Sequence, residues 1–279
     1  MTDPRSACTF LFVPGDRPDR FAKAQSSGAD VVIVDLEDAV APAAKPAARA
    51  ALVEALRAGE ELAVRVSADG SSDLEADLAS LAAAPAPLAV VVAKAESAVA
   101  LARIGVLGAP IIALVESAAG LVRAGELARA PGVVRLAFGA LDYTLDLDSA
   151  MDPVLIDHAR VELVVQSRAA GIAAPLDTPT TDFTRLDIVK ADARRARDLG
   201  MAGKLCIHPS QVAPIAAAFL PTPEEVERAR RVLATAVNDG AMADSGSMID
   251  RPVAGRARRI VERAESRGRN PVVDNGAER

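Results

Sequence analysis

Tryptophan is absent from this chain, tyrosine occurs once, and aromatic residues make up 3% of its 279 positions. The core must therefore be built from Ala, Val, Leu and Ile, and any stacked ring of a ligand would have to meet Phe or Arg rather than Trp. Cysteine occurs twice, as Cys8 and Cys206, each in an apolar run. Two are too few for a disulfide framework or a thiolate metal site, so both read as buried reduced thiols. Histidine also occurs twice, with His158 in a helical stretch and His208 alone, which argues against zinc. A basic excess is missing too: the net charge is −6, which with the scarcity of aromatics argues against nucleic acid as a partner. Local arginine clusters still leave room for a small anionic ligand. No apolar run approaches the ~20 residues of a membrane span, and the start of the chain carries no apolar signal segment. The expectation is a cytoplasmic protein with no membrane contact. There is no G-x-S-x-G elbow, no P-loop and no G-x-G-x-x-G fingerprint.

What is present is alternation. Eight short apolar runs read as strands: 9–13, 30–35, 62–66, 88–93, 110–115, 133–138, 173–176 and 204–207. Continuous apolar runs of this length suit parallel strands buried on both faces. Stretches of helical period fall between them, at 20–26, 46–57, 73–83, 97–104, 120–130, 153–170, 184–199 and 209–219. Eight strand–helix units are the count of a closed (β/α)8 TIM barrel, expected over 1–220; a doubly wound open sheet is the rival. A C-terminal helical extension is expected over 221–266. Thr222 is a cap, Pro223 suits the first helical position, and Glu224 and Glu225 favour the first turn of a helix running to about Val237. A polar stretch at 238–248 separates it from a last helix over 252–264, and 267–279 reads as a disordered tail.

Catalytic groups of such barrels sit at the C-terminal strand ends. Here those ends carry Asp35, Glu37 and Asp38 after the second strand, Arg65 on the third, Lys94 and Glu96 after the fourth, Glu116 after the fifth, Asp142 after the sixth, Asp177 on the seventh and His208 on the eighth. Clustered acids are unfavourable unless a cation neutralises them. Glu116 and Asp142 are enough for one hard divalent ion, since Mg2+ takes one or two carboxylates and completes its octahedron with water and substrate oxygens. A Schiff-base aldolase would need a desolvated lysine, and Lys94 is the candidate, but its acidic neighbours should raise its pKa. Each position also has a plainer reading: Arg17 and Arg20 pair with Asp16 and Asp19, Glu37 and Asp38 are structural supports, and His208 starts a helix.

Several stretches together resemble the citrate lyase beta-subunit-like proteins, in the group of the HpcH/HpaI aldolase superfamily that includes malyl-CoA and citramalyl-CoA lyases. They are Phe12-Val13-Pro14-Gly15-Asp16-Arg17-Pro18, Arg20-Phe21-Ala22-Lys23-Ala24, Asp35-Leu36-Glu37-Asp38-Ala39-Val40, Val64-Arg65-Val66, Lys94-Ala95-Glu96, Val115-Glu116-Ser117-Ala118-Ala119-Gly120, Phe138-Gly139-Ala140-Leu141-Asp142, 203–211 and 246–253. The resemblance covers Arg5 to about Ala264. It implies a TIM barrel that assembles as a homotrimer and a Mg2+ site made by Glu116 and Asp142. It also implies Arg65 as a catalytic and substrate-binding residue, Arg20 and Lys23 on the CoA phosphates, and Asp250 as acid/base, with Glu37 and Asp38 in support. The chain departs from the family pattern at Ala93, at Ser67 and over 177–182, which bears on the acyl group accepted.

The expected function is that of a Mg2+-dependent carbon–carbon lyase cleaving or forming a carboxylated 3-hydroxyacyl-CoA such as malyl-, citramalyl- or citryl-CoA, with an acyl-CoA and a 2-oxo acid as partners. The alternatives are a citrate lyase beta subunit acting on a carrier-bound citryl group, and a metal-dependent aldolase for free 2-oxo acids.

Overall fold

A computed structural model describes residues 3–235, 242–244, 247–249 and 251–268. The chain divides into two compact units, Met1–Phe219 and Leu220–Arg279.

In the first unit eight parallel strands close into a barrel in chain order: β1 Thr9–Pro14, β2 Val31–Asp35, β3 Ala63–Val66, β4 Val90–Val92, β5 Ile111–Val115, β6 Val133–Phe138, β7 Ala173–Asp177 and β8 Gly203–Cys206. The seam pairs Thr9 with Lys204, Phe10 with Leu205 and Leu11 with Cys206, which rules out the open sheet. The helices are α1 Phe21–Gln25, α2 Lys45–Arg57, α3 Ser72–Ala82, α4 Ala98–Ile104, α5 Ala118–Val122, α6 Ala124–Ala128, α7 Ala140–Asp146, α8 Pro153–Ala170, α9 Leu186–Leu199 and α10 Val212–Phe219. The stretch expected as one helix over 120–130 is two, with Arg123 closing α5 and opening α6. Helix α7 was not foreseen. The long α8 has strong local signals: Asp152 caps it by accepting from the Val154 amide, Pro153 fills the first position, and Gly171 ends it at φ 74°.

Strand alternation decides what faces the barrel axis. Phe10, Ile33, Ala63, Val91, Leu114, Ala137, Leu176 and Leu205 form the inner core, while their strand neighbours pack outward against the helices. Asp35, Arg65 and Glu116 stand two residues beyond Ile33, Ala63 and Leu114, so they share the inward face at its upper end. At the opposite end the fully buried Arg135 closes the barrel by donating to the carbonyls of Pro4, Ala7 and Ala174.

Asp177 is where alternation overturns the expectation. It follows the inward Leu176 and therefore points out, towards α8 and α9, rather than into the mouth. There it accepts from Arg160 (2.8 and 2.9 Å) and from Lys204 Nζ (2.5 Å). Asp192 on α9 accepts from the same two cations and from Thr180 Oγ1. Asp177 and Lys204 have no exposed side-chain surface. Cys8 and Cys206 are buried and not joined in a disulfide, as expected, and burial pushes the Cys206 thiol up to about 12.

The second unit contains α11 Pro223–Thr235 and α12 Arg251–Gly268, which pack on each other and bury Ala229 and Ala257. Thr222 Oγ1 accepts from the Glu225 amide while Glu225 accepts from the Thr222 amide, the capping box that starts α11. Within the stretch expected to be without elements, β9 Met242–Asp244 and β10 Ser247–Ile249 pair antiparallel. Strands of three residues are too short to leave a period in the sequence. Among the described residues no helix is long and apolar enough to cross a membrane.

Candidate active site

A cavity of about 410 Å³ opens at the C-terminal ends of the strands, lined by Phe12, Pro14, Asp35, Asp38, Arg65, Leu114, Glu116, Gly139, Leu141, Asp142 and Thr178 among others. Arg65 is its fixed cation. Asp35, its register partner on β2, accepts from Nε at 2.7 Å and from Nη2 at 2.6 Å in a bidentate clamp. Glu37 lies 3.0 Å from Nη1, and the guanidinium sits 4.9 Å from the centre of the Phe12 ring. Burial lowers the Arg65 pKa, but these carboxylates more than offset it, so the group stays charged.

Glu116 is the buried anion of the site, with 4% of its surface exposed. Its Oε1 accepts from the Lys94 amide at 2.7 Å, and among the described residues no lysine or arginine side chain forms an ion pair with it. Burial above all, and then the charge of Glu37, pushes its carboxyl up to about 8. Its place depends on Gly139, where a Cβ would lie 2.5 Å from Glu116 Oε2 and 2.8 Å from Glu116 Cβ. The next residue opens α7, the Ala140 amide donating to Thr178 Oγ1 at 3.0 Å, and α7 carries Asp142 in its first turn.

Lys94 stands among the acids. Its Nζ donates to Glu37 Oε1 at 2.8 Å and lies 3.8 Å from both Asp38 Oδ2 and Asp142 Oδ2. Burial lowers its pKa, but Glu37 leads a set of acids that raise it further, which leaves the amine protonated and unsuited to a Schiff base. Burial also pushes the Glu37 carboxyl up, against the pull of Arg65 and Lys94.

The fold thus gathers Glu37, Asp38, Arg65, Glu116 and Asp142 at one mouth. Arg20, at the end of the β1–α1 connection, and Lys23, on α1, are exposed and do not line the cavity. Arg17 pairs with Asp19 at 2.8 Å, so the plainer reading of that loop holds for Arg17. Glu96 is turned aside to Ser117 Oγ, and His208 caps a helical turn by accepting from the Ser210 amide. Asp250 lies outside the described residues.

The donor set suits a hard divalent ion. A buried carboxylate without a cationic partner faces the same cavity as a second carboxylate, and both are oxygen ligands. Among the described residues no group of three or more His, Cys, Asp or Glu could hold a metal, so the ion would need water and substrate oxygens to complete its shell.

The sequence profile described as HpcH/HpaI aldolase/citrate lyase matches residues 8–209. The chain belongs to that family. A second profile, carbon–carbon bond lyase of the TIM-barrel fold, matches residues 170–268. Among curated HpcH/HpaI relatives, a citrate lyase subunit beta-like protein of Mycobacterium tuberculosis is 40% identical over 91% of this chain and 94% of its own. An L-malyl-CoA/beta-methylmalyl-CoA lyase of Rhodobacter capsulatus is 31% identical over 91% of this chain and 93% of its own. The crystal structure of the protein CitE from Mycobacterium tuberculosis, in complex with magnesium, acetoacetate and coenzyme A, superposes with a TM-score of 0.85 at 39% identity, covering 94% of this chain and 99% of that one.

Two features of the site escaped the sequence reading of this HpcH/HpaI chain: the Asp35 clamp on Arg65 and the close approach at Gly139. Strand parity would have found the first, because Asp35 and Arg65 continue the inward faces of β2 and β3. The second depends on chain segments that meet only in the folded barrel.

Proposed function

We propose that this chain is a Mg2+-dependent carbon–carbon lyase that cleaves or forms a carboxylated 3-hydroxyacyl-CoA of the malyl, citramalyl or citryl kind, yielding a 2-oxo acid and a shorter acyl-CoA. The observation that carries the reading is the buried, cation-free Glu116 beside Asp142 in a cavity whose fixed cation is Arg65. The magnesium and coenzyme A in the Mycobacterium tuberculosis structure support it, as does the malyl-CoA chemistry named for the Rhodobacter relative.

Glu116 and Asp142 would hold the ion, which supplies a Lewis acid for the negative charge that grows on the substrate hydroxyl oxygen. Arg65 does the matching work on the rest of the substrate. Asp35 engages two of its five N–H groups, and Glu37 faces Nη1 as an ion pair without a hydrogen bond, which leaves N–H donors for a substrate carboxylate or the oxygen of a thioester enolate. Because Asp35 fixes the guanidinium in advance, little reorganisation is needed as charge develops. Asp250 is the proposed acid that protonates the enolate carbon, and the base that removes the α-proton of acetyl-CoA in the reverse direction. Arg20 and Lys23, one helical turn apart and without ion pairs among the described residues, are the proposed grip on the CoA phosphates. We also propose a homotrimer, supported by apolar side chains left in solvent on the same unit: Val122 at 87%, Leu145 at 78% and Val154 at 79% exposure.

The test is to incubate the protein and Mg2+ with a panel of malyl, methylmalyl, citramalyl and citryl thioesters and follow release of acetyl- or propionyl-CoA. Release from one of them, lost in Glu116→Gln and in Asp250→Asn, is the expected result. Cleavage only of a carrier-bound acyl group would favour the citrate lyase subunit. Cleavage of free 2-oxo acids, unchanged by Arg20→Ala and Lys23→Ala, would favour the aldolase.

A further inference from the structure

Lys94 is a non-glycine residue held at φ 46°, in the left-handed region. That backbone serves two groups at once. The Lys94 amide donates to Glu116 Oε1 at 2.7 Å, while the side chain turns into the acidic mouth and brings Nζ to 2.8 Å from Glu37, and to 3.8 Å from Asp38 and Asp142. One residue thus touches both carboxylates proposed for the divalent ion, Glu116 by its main chain and Asp142 by its charge.

We propose that the Lys94 ammonium is the resident counter-ion of this carboxylate cluster and weakens the hold of Glu116 and Asp142 on their divalent cation. The inference rests on the reading that these two residues hold such an ion. A positive charge near Asp142 repels an incoming dication and neutralises Glu37 and Asp38, whose negative charge would otherwise attract it, so both effects lower metal affinity. Glu116 is not held by the ammonium, and Asp142 is carried on the first turn of α7. The Glu116 contact is made by the main-chain amide, which every variant except proline keeps. Arg65 keeps its own bidentate clamp to Asp35 when Glu37 loses its lysine. Lys94 is therefore a positioning and charge-setting residue rather than a catalytic one. Its effect is to keep the metal exchangeable until the negative charge of a carboxylated substrate arrives.

Removing the charge should tighten the metal. The measurement is titration of the intact protein with Mn2+, followed by electron paramagnetic resonance of the free ion and by calorimetry with Mg2+, at low and high salt. Lys94→Met removes the ammonium and keeps the stem. Lys94→Gly removes it and relieves the backbone. Lys94→Arg keeps the charge. Both uncharged variants are expected to bind the ion more tightly by about threefold or more at low salt, with the difference shrinking as salt is raised and with the arginine variant near the unaltered protein. Equal or weaker binding in the methionine and glycine variants, with thermal melts showing them folded, overturns the proposal. If the unaltered protein binds no divalent ion and Glu116→Gln changes nothing, it is the metal-site reading that has failed.

Discussion

Replacing Gly139 by alanine adds one methyl group at a backbone of φ −115° and ψ 89° that alanine adopts without strain. The whole effect therefore comes from what the methyl meets. It would lie 2.5 Å from Glu116 Oε2 and 2.8 Å from Glu116 Cβ. Rotating the carboxylate clears the first contact but not the second. Comfortable carbon–carbon contact is roughly 3.5 Å, so the stem of Glu116 must retreat by about 0.7 Å. Ligand distances at a metal are held to roughly ±0.2 Å, so that displacement is enough to spoil the site. Overpacking of this kind destabilises by about 1–3 kcal/mol, which a barrel of this size should survive. Gly139→Ala should thus melt as a folded protein, lose most of its Mn2+ binding, and lose about 10²-fold in turnover of whichever thioester the unaltered protein cleaves. Thermal unfolding, Mn2+ titration and the thioester assay together read this out. An alanine variant with normal metal affinity and normal turnover would refute the placement of Glu116 as a ligand.

The outward cluster on β7 and β8 offers three further tests. Asp177→Ala removes one of the two carboxylates that Arg160 and Lys204 share in a buried place, leaving Asp192 to serve both, and should destabilise by about 3 kcal/mol in urea unfolding; no change would show the cluster to be energetically idle. Burial raises the carboxyl of Asp192, but Lys204 and then Arg160 outweigh it and hold it at about 2 against an ordinary 3.8. A lowered value means stability present above the unfolded pKa and lost as pH falls through the folded one, so roughly 2 kcal/mol should disappear between about pH 4 and pH 2, and Asp192→Asn should flatten that limb of the stability–pH curve. Cys206, pushed up to about 12 by burial, should resist iodoacetamide at pH 8 and react only as fast as the barrel opens; rapid labelling of the native protein would contradict its placement.

Strand parity explains which parts of the site were legible in the sequence. Asp35, Arg65 and Glu116 continue runs whose inward positions are Ile33, Ala63 and Leu114, so period two alone places them at the mouth. The same rule, applied to Leu176, turns Asp177 outward, and counting acids at strand ends without regard to parity put it in the wrong place. The eight-unit barrel was legible because its strands are continuous apolar runs and its longer helices carry caps and period. Helix α7 was not, since its seven residues mix polar and apolar side chains over less than two full turns. The close approach at Gly139 and the left-handed backbone of Lys94 were beyond reach for another reason: both come from neighbours that meet only when the barrel is complete.

Closure of that barrel falls to a thinly bonded strand. β8 joins β7 through Leu176–Gly203 and Asp177–Lys204 and joins β1 through three pairs, whereas β1 and β2 share five. β8 is also the last barrel strand to be synthesised, and its pairing with β1 spans nearly two hundred residues of chain. Such a contact forms late, because the loop must be closed before the pairing contributes anything. The ions around Lys204 sit on this seam, binding β8 to β7, α8 and α9 at once. They act as a latch on a nearly finished cylinder, so the β7–β8 edge is where hydrogen exchange should first report opening.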